Sequence, residues 1–197
     1  MKKYLAIIVL TLFCSHTVLA NDIRDFQIAG ISLEDNLLDH ISEEKIKNNI
    51  QYWKEQKSNK KYTEVNLSDY INTEPYDKVT ASYKTSDKKY KIMQVEGIIW
   101  FDNIAPCLEE KTKIVEELSN LFKENKQKNY GKTVHWADKD SYTYKYEVYF
   151  GSQQNDYFDT ITADCYDWSE KIEYQDHLRV GITKIEIWKW IDEISKN

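Results

Sequence analysis

Residues 159–168 read DTITADCYDW, and the period of that stretch decides the fold. Ile161, Ala163 and Cys165 fall on one side of a two-residue alternation, and Asp164, Tyr166 and Trp168 fall on the other. This is the pattern of a strand with one face turned to a core. The partner for that face is upstream. A helix is predicted over residues 103–125, with Pro106 in its first turn and Cys107, Ile114, Val115, Leu118, Leu121 and Phe122 along one stripe. A cysteine on the inner face of a strand and another on the inner stripe of a helix describe a helix packed on a sheet and stapled to it. The expected disulfide is Cys107–Cys165, which on the loop-entropy account contributes on the order of 4 kcal/mol.

Other strands extend outward from this one. In residues 142–151, Tyr142, Tyr144, Tyr146, Val148 and Phe150 share a face, and residues 178–182 supply a further extended segment. Residues 76–103 form a hairpin turning at TSDKK, with Met93, Val95, Ile99 and Phe101 on one face of the return strand and Gly97 marking a bulge or a close backbone approach. Thr63, Val65 and Leu67 predict one more strand. At the N-terminal side, Ser32 with Asp35 opens a helix carrying Leu33, Leu37, Leu38 and Ile41, and Ser42 opens a second with Ile46 and Ile50. At the C-terminal side, Thr183 and Glu186 form a capping box, and Ile182 and Ile187 the accompanying staple, of a helix over residues 184–195. Trp188 and Ile191 are expected to face the protein, and Trp190 to be partly exposed. Residues 123–141 read as a polar loop holding one short strand near Val134 and Trp136. The expected fold class is α+β: an antiparallel sheet of about five to seven strands with one long helix packed on it, a short N-terminal helix pair and a C-terminal helix. Residues 21–197 are read as a single domain.

The first twenty residues, MKKYLAIIVLTLFCSHTVLA, carry two lysines, an apolar run and a small residue at the end, which is the plan of a secretory signal peptide cleaved after Ala20. The apolar run is too short to span a bilayer, and no later stretch is apolar enough to do so. Cleavage leaves 25 basic residues against 33 acidic ones, a net charge of −8. Such a chain does not coat nucleic acid. Arginine forks for phosphate are nearly absent, since only Arg24 and Arg179 remain. Loss of Cys14 leaves two cysteines in an oxidising compartment, which fits one disulfide.

No motif specifies a reaction. His177 lies twelve residues after Cys165 and offers a base for a nucleophilic thiol, but Cys165 sits on the inner face. No metal and no cofactor is implied: His40, His135 and His177 are far apart, there is no CxxC or HxxxH pair, and the Asp138 and Asp140 stretch lacks the glycine and terminal acid of a calcium loop.

The stretches IAGISLEDNLLDHIS, KIMQVEGIIWF, CLEEKTKIVEELSNLF and CYDWSEKIEYQDHLRVGI, read together, resemble uncharacterised small secreted proteins of AT-rich free-living marine bacteria. That group has no assigned activity, so the resemblance implies export, the Cys107–Cys165 pair and an α+β shape. GISLEDNLLDHIS is also similar to the first helix pair of small outer-membrane-assembly proteins, without their lipidated cysteine.

The functional expectation is a periplasmic, non-enzymatic binding or envelope-accessory protein meeting an envelope protein or a small ligand. Asp164, Tyr166 and Trp168, opposite Cys165, are the candidate surface. A second layer of structure covering them is the competing reading. Two alternatives stand beside this one: a small secreted hydrolase using Asp164, Asp167 and His177, and an inhibitor of an envelope enzyme acting through a loop in residues 123–141.

Overall fold

The structure is a computed structural model that describes residues 22–51, 60–154 and 157–195. The signal segment and most of the lysine-rich stretch after Trp53 lie outside the described residues. Over the described residues the chain is α+β, with one eight-stranded antiparallel sheet. The strands are β1 (Ile50–Gln51), β2 (Tyr62–Asn66), β3 (Lys78–Lys84), β4 (Ile92–Phe101), β5 (Gln127–His135), β6 (Asp138–Gln154), β7 (Tyr157–Asp167) and β8 (Asp176–Thr183), in the spatial order β1-β2-β3-β4-β8-β7-β6-β5. Two four-strand meanders are thus joined where β4 pairs with β8. Helix α2 (Ile104–Leu121) makes the connection from the middle of the sheet to its far edge. Its 18 residues span about 27 Å, enough to cross the four strand intervals from β4 to β5 at about 4.8 Å each.

The register sorts the residues into two faces. Val65, Ala81, Val95, Val180, Ala163 and Tyr146 line the face under α2 and, with Cys107, Ile114, Leu118 and Phe122 of the helix, form the main core. Asn103 caps α2 by accepting the Ala105 N–H (3.2 Å). The Cys107–Cys165 disulfide joins α2 to β7 inside this core, across a sequence separation of 58, and both cysteines are fully buried. Lys111 comes from the same helix stripe and is also buried, where the loss of hydration lowers its pKa.

Several expectations are corrected. The sheet has eight strands rather than five to seven. Residues 123–141 are mostly strand, because β5 and the start of β6 pair along their backbones. An edge strand exposed on both faces needs no apolar alternation, so its composition reads as a loop.

The N-terminal helix pair is a single 3-10 turn (Leu37–Asp39) followed by the six-residue α1 (Glu43–Asn48), which Ser42 caps. Glu34 has φ 72°, so no helix can run through it. The backbone there pairs with the start of β4 instead, through Glu34 N–H to Ile92 O (2.9 Å) and Ile92 N–H to Asp35 O (2.9 Å). Ser32 donates its hydroxyl to the Arg24 and Phe26 carbonyls (2.7 and 3.1 Å) rather than capping a helix.

Helix α3 (Ile185–Ser195) covers part of the opposite face of the sheet. Its first N–H is accepted by Asp159 of β7 (2.8 Å), and the Thr183 hydroxyl instead receives Gln94 (3.3 Å). Ile187 belongs to the small cluster under α3 while Ile182 lies in the main core, so they do not form a staple. Trp190 is buried at 1 % exposure, its ring edge-on to Tyr62 at 5.2 Å. Met93 also packs in this cluster, because a register shift at Ser82/Tyr83 turns it away from Val95 and Ile99. Gly97 marks a close approach: a Cβ there would stand 2.4 Å from the Tyr76 ring.

Candidate functional site

Alternation along β7 places Asp164 and Tyr166 on the face opposite Cys165, and the pairing of β7 with β8 sets Arg179 beside Asp164 and His177 beside Tyr166. Asp164 is 2 % exposed and Tyr166 8 %, while Trp168, just past the strand, is half-buried. The three candidates therefore sit together, but two of them lie under other side chains. What covers them comes from elements that the sequence did not bring to this place.

Arg179 is the centre of the polar part. Its guanidinium lies over the Tyr166 ring (4.8 Å), hydrogen-bonds the Tyr166 hydroxyl, and faces Asp164 and Glu96 at 3.7 Å each. Burial pushes the Asp164 carboxyl up to about 6, with Arg179 and Lys145 opposing the shift. Burial also works against the Arg179 charge, but Tyr166, Glu96 and Asp164 outweigh it and hold its proton more firmly than usual. Glu147 is buried nearby. Lys145 and the Tyr149 and Tyr130 hydroxyls keep it ionised against that burial.

Toward the end of the sheet the face turns aromatic. His177 stacks on Tyr166 (4.6 Å, 14°), Tyr166 on Trp168 (6.0 Å, 15°), and His135, from the end of β5, packs against Trp168 at 4.5 Å. Tyr174 meets Trp168 edge-on (5.1 Å), Trp136 continues the row beyond His135, and Trp100 of β4 is the cross-strand neighbour of His177. Hydrogen bonds fix the frame around these rings. Asp138 accepts the hydroxyls of Ser141 and Ser169 (2.6 and 2.7 Å), tying the β5–β6 hairpin to the chain after β7, and Asp176 accepts the Trp168 N–H (2.8 Å).

Asp164 and His177, the hydrolytic candidates, are each engaged with other groups, Asp164 with Arg179. The His177 ring nitrogen meets the Gln175 carbonyl (3.0 Å) and the Trp168 indole N–H (3.4 Å), neither of them a carboxylate. Burial lowers the His177 pKa to about 4, which leaves the ring neutral at pH 7. Asp167 pairs across the strands with Tyr142 and stays apart from Asp164, since residues three apart on a strand face opposite ways. Among the described residues, no group of three or more His, Cys, Asp or Glu is placed to hold a metal ion.

A second polar place is a cavity of about 300 Å³ lined by Asp22, Arg24, Glu34, Phe150, Asp159 and Lys184. Its charges satisfy one another, Lys184 reaching Asp159 at 2.7 Å and Glu34 at 3.5 Å, and Arg24 holding Asp22. This network clasps the N-terminal segment to the start of α3.

The sequence reading missed Arg179, His135 and Tyr174 as members of the site, and treated Trp136 only as part of an apolar island in a loop. Arg179 and His135 come from other strands and meet Tyr166 and Trp168 through sheet pairing, while Tyr174 folds back on Trp168 within the connection from β7 to β8. No family model matches the chain, and neither a curated protein nor a solved structure matches it.

Proposed function

We propose that the chain is an exported, non-enzymatic binding protein of the cell envelope, and that it meets its partner through the aromatic end of the face opposite α2. One observation carries this reading. A run of ring contacts through Tyr166, Trp168 and His135 ends in two exposed rings, Trp136 at 82 % and Tyr174 at 54 % exposure, and Trp100, 38 % exposed, stands beside His177 on the neighbouring strand. Grouped exposed aromatics are uncommon on a folded surface that meets only water. Rings held by stacking lose little conformational freedom on binding, which is why Trp and Tyr dominate contact energies at interfaces. The buried disulfide supports export, because such bonds persist in oxidising compartments. The mutual pairing of Arg179, Asp164, Glu96 and Tyr166 supports a structural rather than a catalytic part for the polar centre.

The test is site-specific photocrosslinking in the native cell envelope. A photoreactive residue at position 136 or 174 should capture the same partner. One at Glu116, exposed on α2, should not. Equal capture from all three positions, or none from positions 136 and 174 across growth conditions, would overturn the proposal.

A further inference from the structure

The segments that frame the rings carry more acid than base. Residues 135–142 and 166–177, which form the hairpin tip and the segment beside it, carry Asp138, Asp140, Asp167, Glu170, Glu173 and Asp176 against Lys139 and Lys171. Contacts place Asp138, Asp140 and Asp176 around the aromatic surface. Asp176 holds the backbone of Trp168, Asp138 bridges the tip to Ser169, and Asp140 engages Lys171, while Glu170 and Glu173 are exposed on the segment that presents Tyr174. Arg179 is committed to Glu96, Asp164 and Tyr166, and Lys132 of β5 lies over the Tyr142 ring at 3.7 Å.

From this geometry we infer that the surface docks a cationic polypeptide segment, a stretch of the partner chain bearing several lysines or arginines. The inference rests on the binding reading above and gives its partner a chemistry. A lysine or arginine lays its methylenes on an indole face and sets its charge over the ring or toward a carboxylate at the rim. Trp136, Trp168 and Tyr174 supply the rings, and the acids supply the field. The same rim repels an anionic partner, so it selects against acidic chains and phosphate surfaces as well as for basic ones.

The experiment titrates the protein with a short lysine–glycine peptide, its glutamate–glycine counterpart and a neutral oligosaccharide, following tryptophan fluorescence and heat. The lysine peptide should bind and weaken about tenfold or more as salt rises from about 20 to about 300 mM, because the rim charges are solvent-screened. Trp136→Ala and Tyr174→Ala should each weaken it about tenfold, and so should the double change Glu170→Gln with Glu173→Gln. All of these positions are exposed, and circular dichroism verifies the fold of each variant. Equal or tighter binding of the glutamate peptide or the oligosaccharide would overturn the inference. So would lysine-peptide binding that is unchanged in both ring variants, since that would be the general field of an acidic protein. Failure of the lysine peptide to bind also overturns it. Crosslinking from position 136 judges the binding reading separately.

Discussion

Asp164→Asn replaces the most deeply buried charge on the face opposite α2 with a neutral side chain of the same shape. The carboxyl is 2 % exposed and is pushed up to about 6 from an ordinary 3.8, chiefly by burial, so ionising it costs the native state about 3 kcal/mol. Between those two values the native protein holds a proton that the unfolded chain has released. The stability associated with that proton is present below pH 3.8 and is lost as the pH rises through about 6. His177 acts in the opposite sense. Its ring is held down to about 4 against 6.5, mainly by burial, so its stability is present above pH 6.5 and is lost as the pH falls through about 4.

The two slopes oppose each other between about pH 4 and 6 in the native protein. The asparagine variant removes the first of them. Its unfolding free energy at pH 8 should exceed that of the parent by about 2–3 kcal/mol, the two should converge near pH 4, and stability of the variant should climb steadily from about pH 4 to 6.5. Urea unfolding followed by tryptophan fluorescence at each pH measures all three features. A variant that loses stability at pH 8 would refute the reasoning, because the Asp164–Arg179 pair would then outweigh the burial of the carboxylate.

Reduction of Cys107–Cys165, with a separation of 58 residues, should lower the unfolding free energy by about 4 kcal/mol, read as a shift in urea midpoint with and without reductant. Gly97→Ala should cost about 1–3 kcal/mol in the same assay, since its Cβ would stand 2.4 Å from Tyr76 and one of the two must move. Trp190→Ala, at a site 1 % exposed against Tyr62, should cost about 3–5 kcal/mol and speed amide exchange in α3.

Local pattern made much of this protein legible. The alternation of Ile161, Ala163 and Cys165 against Asp164 and Tyr166, and the stripe carrying Cys107, Ile114 and Leu118, were enough to place one helix on one sheet and to pair the cysteines. Both are one-dimensional records of a buried face, and burial writes itself into the period of the residues concerned. Where no face is buried, or where the partner is distant in sequence, the record is blank or misleading. The edge strand β5 looked like a loop because its backbone pairing leaves no trace in side-chain type. Thr183 and Glu186 offered a local cap for α3, yet Asp159 of another strand took that place.

The candidate surface shows the same division. The chain by itself determined that Asp164, Tyr166 and Trp168 stand together opposite the disulfide, because a strand allows no other alternation. Only the tertiary structure decided that Arg179 and Glu96 would close over the first two, and that His135, Trp136 and Tyr174 would extend the third into a surface. The long-range pairing of β4 with β8 sets Glu96 beside Arg179, and the pairing of β6 with β7 sets the end of the β5–β6 hairpin, with His135 and Trp136, beside Trp168. Strand pairing depends on backbone groups that every residue carries, so which strands become neighbours is set by the packing of the whole chain and not by the residues that end up side by side.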